Sequence, residues 1–193
     1  MSENLKNGEI IPTIDHYRSQ FISYSKHAFE KLPEITDPLI LDVGCGSGII
    51  TIKLAEWTDG EIIGLEIDKK ALNTFRKRIQ KHNLSHRIKA IETSFIENSC
   101  KEKSFDIIWA EGVFHIIGYE KCLKVCHRIL ISKGFLVIAD TLERLTNNMK
   151  IFENTGFKVY DRFTWKQNAW WKEYYKPLDA KLKELKQKGI DRC

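Results

Sequence analysis

No part of this 193-residue sequence is apolar over the roughly 20 residues that a membrane-spanning helix needs. The first twelve residues, MSENLKNGEIIP, are polar and lack the apolar centre of a secretory signal peptide. We therefore expect no membrane partner and predict a cytoplasmic protein.

Cysteine pairs at metal-binding spacing are also missing. The five cysteines are an odd number, and none form a C-x-x-C pair, so the sequence indicates neither a disulfide framework nor a zinc site. Cys122 and Cys126 lie four residues apart on an apolar stripe, which predicts buried thiols on one helix face. We predict no metal site, and a reducing cytoplasm fits this cysteine usage.

Excess charge is small. The formal net charge of +5 is too low to indicate nucleic-acid binding by itself, and residues 166–193 alone carry seven Lys and one Arg against two Asp and two Glu. Length and a 42% hydrophobic fraction favour one globular domain. We expect a single domain over residues 1–193, with a lead-in and helix at 1–38, an α/β core at 39–165 and an aromatic, lysine-rich segment at 166–193.

The most informative stretch is residues 39–48, LILDVGCGSG. A short apolar run of strand character is followed by Gly44, Gly46 and Gly48, and then by helical apolar spacing. Glycines let a ligand approach the backbone, and a helix start directs free N–H groups toward it. Asp42, at the end of the strand, is placed to accept hydrogen bonds from a cationic or hydroxyl-bearing ligand.

The glycine spacing separates two ligand classes. A dinucleotide fingerprint reads G-x-G-x-x-G, whereas this sequence reads D-x-G-x-G-x-G from Asp42 to Gly48. That form resembles the first motif of Rossmann-like S-adenosylmethionine (SAM)-dependent methyltransferases. A nicotinamide or flavin site and a strand–turn–helix unit without a ligand are the alternatives.

A second acid lies at the end of the next predicted strand, residues 61–66. Glu66 follows Gly44 by 22 residues, where a Rossmann-type unit places an acid that binds both ribose hydroxyls. A solvent-facing Glu66 is the alternative. Asp68 is a further candidate acid, but we expect it to be the N-cap of a helix over 69–82 whose inward face carries Leu72, Phe75 and Ile79.

Strand and helix patterns alternate along the rest of the chain. We predict an amphipathic helix over 13–32, strands over 87–92, 105–109, 135–139 and 157–165, and helices over 119–130 and 147–154. We expect the strand over 135–139 to be fully buried and Asn83 to end its helix in a left-handed conformation. The alternation predicts an α/β fold with a mainly parallel sheet of six or seven strands flanked by helices, with an N-terminal helix added.

A longer segment makes the resemblance to a methyltransferase family more specific. Residues 105–120, FDIIWAEGVFHIIGYE, resemble a subgroup of small Rossmann-like SAM-dependent methyltransferases of unassigned substrate, which carries a Trp-Ala/Ser-Glu-Gly segment at this point. The resemblance covers residues 35–140 well and 156–182 in outline, and it implies a three-layer sandwich. It also implies a SAM pocket lined by Asp42, Gly44, Cys45, Gly46, Gly48, Glu66, Ile67, Ser94, Phe95, Ala110 and Glu111.

Two further groups of side chains are candidates for the acceptor and the chemistry. If a general base is used, His115 and Glu111, just past the fourth strand, are the candidates by position. The predicted acceptor-binding residues are Tyr17, His115, Trp165, Trp170 and Tyr174. The aromatic residues among them offer ring faces that attract a sulfonium or an amine. The alternative is that these rings only pack the C-terminal segment against the rest of the protein.

These features together predict a SAM-dependent methyltransferase that transfers methyl directly, by in-line displacement, to a small-molecule acceptor and releases S-adenosylhomocysteine (SAH). The Asn/Asp-Pro-Pro-Tyr/Phe stretch that resembles exocyclic-amine methylases is missing after the fourth strand, and we expect no nucleic-acid partner. An RNA methyltransferase that uses the basic aromatic tail, and a catalytically silent SAM-binding partner subunit, are the alternatives.

Overall fold

The computed structural model of the protein describes residues 10–166 and 168–187. These residues form two compact units. One unit is Glu30–Arg162, and the other consists of the described residues of 1–29 and 163–193. That the whole chain is one methyltransferase domain stays a prediction.

The Glu30–Arg162 unit is built on a parallel sheet of five strands in the order β3-β2-β1-β4-β5. The strands are β1 (Leu39–Val43), β2 (Glu61–Glu66), β3 (Ile88–Glu92), β4 (Phe105–Glu111) and β5 (Leu130–Ala139). The predicted α/β class and parallel sheet are confirmed. Three strands differ from their predicted bounds: β3 begins one residue later, β4 continues through Glu111, and β5 begins at Leu130 instead of Phe135.

Helices connect β1 to β2, β2 to β3 and β4 to β5, as the sequence predicts for a parallel sheet, whereas residues 93–104 join β3 to β4 without a helix. They are α3 (Ile49–Trp57), α4 (Lys69–Lys81), the short α5 (Phe114–Ile117), α6 (Tyr119–Ile129), α7 (Leu142–Asn147) and α8 (Met149–Asn154), preceded by α1 (Ile10–Ser19) and α2 (Ile22–Glu30). Asp68 caps α4 by accepting hydrogen bonds from the N–H groups of Lys70 and Ala71, and Asn83 adopts φ 56° after it. Both of these predictions are confirmed.

The prediction of a sixth or seventh strand is wrong for the described chain. Residues 157–165 form no strand there. Their alternating pattern has no buried face, because the consecutive residues Val159 and Tyr160 are 57% and 66% exposed. Without a core surface on one side, alternation by itself does not hold a strand in a sheet.

The prediction of a fully buried fifth strand is also wrong. The strand β5 runs from Leu130 to Ala139, and its residues from Phe135 to Ala139 are only half-buried. In the described sheet β5 pairs with β4 alone, so it lies at an edge. An edge strand is covered less completely than a central one, which fits the half-buried residues from Phe135 to Ala139.

The core of this unit lies between α6 and the sheet. Leu123 and Ile129 of α6 are fully buried beside Cys122 and Cys126, which confirms the predicted buried thiols. Burying each aliphatic side chain of this size contributes about 1.5–3 kcal/mol. The four cysteines within the described residues are free thiols.

The other unit packs α1 and α2 with a π-helical segment (Trp170–Tyr175) and α9 (Lys176–Gln187). The predicted single helix over 13–32 is two helices, separated at Gln20 and Phe21, whose N–H groups donate to Tyr17 and Arg18 in a tight turn. The break has a tertiary cause. Phe21 is completely buried, and its ring stacks on Trp165 at 5.1 Å and on Trp170 at 4.5 Å.

Within the described residues, no helix combines the length and apolar character needed to cross a membrane.

We expect Gly48→Ala to lower the free energy of unfolding by about 2–4 kcal/mol, combining left-handed backbone strain with overpacking. Gly48 has φ 80°, and a β-carbon built on it would lie 1.9 Å from Cδ2 of Phe75. Urea unfolding followed by circular dichroism measures the change.

Gly112→Ala is the matched control for this variant. Gly112 has a similar φ of 67°, but no described atom lies within 4 Å of its built β-carbon. Gly112→Ala should therefore lower the free energy of unfolding through backbone strain alone, by about 1–2 kcal/mol. Equal losses in the two variants would show that the contact with Phe75 imposes no constraint.

Candidate active site

The candidate site lies at the carboxyl edge of the sheet. In the strand register, Val43 at the end of β1 pairs with Leu65 of β2 on one side and with Ala110 of β4 on the other. Gly44, Glu66 and Glu111 therefore come to the same edge. β1 lies where the strand order changes direction, which is the crevice in which open α/β sheets bind ligands.

The three motif glycines serve different purposes. A β-carbon on Gly44 would lie 2.9 Å from Cγ2 of Val113, and one on Gly48 would enter the ring of Phe75, so these two glycines allow close packing inside the protein. Gly46 differs. At φ 56° its built β-carbon meets no described atom within 4 Å, so this residue faces open space. Gly46 is thus the glycine at which a ligand has room to approach.

The carboxylate of Glu66 holds the glycine loop. Its Oε2 accepts the N–H of Gly46 at 2.9 Å, and its Oε1 accepts the N–H groups of Ile67 at 2.7 Å and Asp68 at 2.8 Å. A carboxylate has about four acceptor positions, so three are filled and one remains. Glu66 is half-buried rather than solvent-facing.

Asp42 lies beneath the loop, not in the open crevice. Its side chain is buried, and its Oδ2 accepts the hydroxyl of Thr51, the third residue of α3, at 2.5 Å. This bond joins the end of β1 to the start of the helix. Burial and then the charges of Asp42 and Glu66 raise the pKa of the Cys45 thiol well above its usual range, so Cys45 stays neutral. The loop is therefore in a negative field.

The remaining predicted cofactor residues differ in exposure. Ile67 is 72% exposed directly after Glu66, whereas Phe95 is buried and lies 6.2 Å from the ring of Phe114. Ser94 is half-buried, and its hydroxyl accepts the N–H of Ile96 at 3.3 Å. Ala110 is buried inside β4 and contributes its backbone to the sheet.

On the β4 side, Glu111 ends the strand and Val113 contacts the glycine loop. The Oε1 of Glu111 accepts the indole N–H of Trp109 at 2.7 Å. Because Val113 packs on Gly44, the turn after β4 lies against the turn after β1. His115 follows two residues later, in α5.

A cluster of polar side chains surrounds Asp140, the residue after β5, which was not among the predicted site residues. The Oδ2 of Asp140 lies 3.0 Å from Nδ1 of His115 and accepts the hydroxyl of Tyr119 at 2.8 Å. Its Oδ1 accepts one hydrogen bond from the guanidinium of Arg144 at 3.0 Å and another from the backbone N–H of Thr141 at 2.7 Å. The signal for Asp140 was present in the sequence, because an acid at the end of an apolar strand is also what identified Asp42 and Glu66.

The ionised form of Asp140 is stabilised by its partners. Burial opposes ionisation, but the hydrogen bonds from Arg144, Thr141 and Tyr119 and the charge of His115 outweigh it, so the pKa of Asp140 is below its usual value. Burial and the hydrogen bond to Asp140 raise the pKa of Tyr119, which remains a protonated donor. The Asp140 side chain is only 3% exposed.

The predicted aromatic acceptor residues lie in the other unit. Trp165, Trp170 and Tyr174 pack around Phe21, and the guanidinium of Arg18 lies 5.2 Å from the Trp170 ring centre. Tyr17 is half-buried in α1, next to the ring of His16 at 5.1 Å. Within their own unit these rings pack against residues of the N-terminal segment, chiefly Phe21 and Tyr24.

Over residues 10–166 and 168–187, no group of three or more His, Cys, Asp or Glu side chains is arranged to hold a metal ion.

We expect Asp140→Asn to destabilise the protein by about 1–3 kcal/mol at pH 7, because the variant loses a charged acceptor. The pKa of Asp140 is lowered by folding, so its contribution is complete above the unfolded pKa of about 3.9 and disappears as the pH falls through the folded value. The difference from the unmodified protein should therefore shrink below about pH 4. Urea unfolding at a series of pH values measures it.

Tyr119→Phe is the companion variant, because it removes one donor but keeps the carboxylate. It should lose less stability at pH 7 than Asp140→Asn. A difference between Asp140→Asn and the unmodified protein that stays constant from pH 7 to pH 3 would contradict the stabilised carboxylate.

Comparison with known proteins agrees with this geometry. Among curated proteins, the demethylmenaquinone methyltransferase of Lactobacillus johnsonii is 28% identical over 143 residues, which are 72% of this chain and 59% of that protein. The chain thus spans a little over half the length of this relative.

Solved structures share the fold. The [4+2]-cyclase SpnF matches with a TM-score of 0.70 at 18% identity, covering 86% of this chain and 67% of its own. Phosphoethanolamine N-methyltransferase 2 of Haemonchus contortus, solved with S-adenosyl-L-methionine, matches with a TM-score of 0.64 at 17% identity, covering 85% and 43%. A protein-family model described as "Methyltransferase domain" matches residues 38–181. With most of its length in that match, this chain belongs to the methyltransferase domain family.

Proposed function

We propose that this protein binds SAM at the carboxyl edge of the sheet and transfers its methyl group to a small-molecule acceptor by in-line displacement, releasing SAH. The observation that carries the proposal is the Glu66 carboxylate, fixed on the N–H of Gly46 beside open space. Family membership supports the reaction class.

The charge at this edge favours a cationic ligand over a dinucleotide. In a dinucleotide site, loop N–H groups and the helix start bind an anionic pyrophosphate. In this loop the N–H of Gly46 already donates to a carboxylate, and Asp42 adds a second negative charge below it. A pyrophosphate would be repelled, whereas a sulfonium with a ribose would be attracted.

Named residues fit the parts of SAM. The open acceptor position of Glu66 suits a ribose hydroxyl, Ile67 offers an exposed apolar surface beside it, and Gly46 lets the ligand approach the loop. SAM supplies an activated methyl group on sulfur, which is the difficult part of the chemistry. The protein has to orient the acceptor and exclude water, and such alignment contributes up to about 7–11 kcal/mol in intramolecular models.

A small acceptor is our first reading. No Asn/Asp-Pro-Pro-Tyr/Phe stretch follows β4, where Ala110, Glu111 and Gly112 stand instead. Relatives include methyltransferases named for a small molecule and for a ribosomal protein, so a protein acceptor is an outcome that the experiment has to separate. Methylation of RNA through the basic C-terminal residues is the second candidate.

We expect calorimetric titration to give micromolar binding of SAH and no binding of NAD. Glu66→Gln should weaken the binding of SAH by about 1–3 kcal/mol, or about 5- to 150-fold, because the substitution removes the charge of the side chain but keeps its shape. Gly46→Val should abolish binding by filling the open space at φ 56°. Circular dichroism confirms that each variant is folded.

Glu92→Gln is the matched control. Glu92 pairs with Glu66 across the β2–β3 register and is exposed, and unlike Glu66 it does not accept the N–H of Gly46, so its loss should leave SAH affinity within about twofold. Unchanged affinity in both Glu66→Gln and Gly46→Val would mean that the pocket is elsewhere. Binding of NAD in place of SAH would favour an oxidoreductase.

We expect label from methyl-tritiated SAM to enter the small-molecule fraction of a host-cell extract. The extract is incubated with the protein, separated by ultrafiltration, and the retained material is divided by nuclease and protease digestion. The SAH-binding-deficient Gly46→Val variant is the control.

Nuclease-sensitive label would establish RNA as the acceptor, and protease-sensitive label a protein. SAH binding with no label in any fraction, together with a protein that copurifies, would identify a silent partner subunit. Each of these three results would contradict the small-molecule proposal.

A further inference from the structure

His115 and Asp140 form a pair at the carboxyl edge of the sheet. The Nδ1 of His115 lies 3.0 Å from Oδ2 of Asp140, although the two residues are 25 positions apart in the chain. The histidine comes from the turn after β4, and the aspartate from the turn after β5. The pair is therefore held by two adjacent strands of the sheet and not by a flexible loop alone.

The Asp140 carboxylate is fully engaged inside the protein. It accepts the Thr141 N–H and Arg144 on one oxygen, and it contacts Tyr119 and His115 on the other. These four partners match the four acceptor positions of a carboxylate. With a side chain only 3% exposed, Asp140 has no position left for a ligand and acts on its neighbours.

The contact sets the tautomer of His115. An ionised carboxylate is only an acceptor, so the nitrogen that faces it carries the hydrogen. In the neutral ring this places the proton on Nδ1 and leaves a lone pair on Nε2. The His115 side chain is 23% exposed, so part of the ring is accessible from outside the cluster.

Other charged and titratable groups around this pair come from each neighbouring element. Tyr119 of α6 donates to the same oxygen as His115, Arg144 of α7 balances the charge of Asp140, and Glu111 ends β4 four residues before His115. Arg144 therefore balances the charge of the carboxylate that faces His115.

The pair also adjoins the proposed SAM site. Val113 contacts Gly44 of the glycine loop, and His115 follows Val113 by two residues. The turn that carries the histidine is thus packed on the turn that carries the cofactor motif.

We propose that His115 is the general base of the reaction, that Asp140 is the positioning residue that fixes its tautomer, and that the acceptor atom is a hydroxyl oxygen. This inference rests on the proposed methyl transfer and extends it to the class of acceptor. A hydroxyl is a weak nucleophile until its proton is removed, whereas a thioether or a free amine needs no base.

The step balances in atoms and charge. The Nε2 lone pair of His115 takes the hydroxyl proton while the acceptor oxygen forms its bond to the methyl carbon. The methyl–sulfur bond breaks, and its electron pair stays on sulfur, which loses its positive charge. The positive charge then resides on the His115 imidazolium beside Asp140, and that proton is later released to water.

The first experiment reads the tautomer without any activity. We expect long-range proton–nitrogen NMR of protein with labelled histidine to show His115 protonated on Nδ1 and bare at Nε2 when the ring is neutral. His115→Gln assigns the signals. Asp140→Ala should shift the His115 ring toward the Nε2-protonated form. Tyr119→Phe removes another donor to the same Asp140 oxygen but keeps the carboxylate, so it should leave the tautomer unchanged.

The second experiment reads turnover of the labelled acceptor. His115→Gln should lower kcat about 100-fold or more with SAH affinity within about twofold, and Asp140→Asn should lower kcat with little change in KM. His82→Gln, which removes an exposed histidine after α4, is the control and should have no effect. The product should be a methyl ether.

The outcomes separate the two proposals. If the unmodified protein does not bind SAH, the methyl-transfer proposal fails and the base role with it. If SAH binds and label is transferred, a ring protonated on Nε2, a turnover loss below about threefold in His115→Gln, or a methylated nitrogen, sulfur or carbon in the product would each overturn this inference while leaving the methyl-transfer proposal in place.

Discussion

The hydrogen bond between the Glu66 carboxylate and the Gly46 N–H is the interaction on which the site depends. It joins the turn after β1 to the end of β2, and the same carboxylate also fixes the chain that enters α4. A carboxylate in this position takes up the backbone N–H that could otherwise donate to a phosphate. In the proposed SAM site this carboxylate makes the loop a better match for a sulfonium than for a phosphate.

The sequence predicts this part of the molecule well because its determinants are local. The strands β1 and β2, the cap at Asp68 and the left-handed Asn83 each follow from a few adjacent residues, and the structure has all of them. The glycine motif was also visible in the sequence, but the different roles of its three glycines were not. Only distant partners, Val113 for Gly44 and Phe75 for Gly48, show which glycines serve packing and leave Gly46 for a ligand.

The predictions that are wrong depend on contacts between distant parts of the chain. The periodicity of residues 13–32 is continuous, yet the helix breaks because Phe21 is buried among Trp165 and Trp170, more than 140 positions away. The alternation of 157–165 satisfies a strand pattern but has no covered face. The position of Asp140 after an apolar strand is visible in the sequence, but the convergence of His115, Tyr119 and Arg144 on its carboxylate is not.

Three acids at strand ends show why such a signal locates a site without assigning roles. Asp42 is buried and bonded to Thr51, Glu66 retains an acceptor position beside open space, and Asp140 has all of its positions filled. Parallel strands bring all three to one edge, which is why the pattern finds the edge. The role of each acid then depends on how many of its acceptor positions the protein already uses. Glu66 retains an acceptor position beside open space, while a saturated carboxylate such as Asp140 acts through the group it holds.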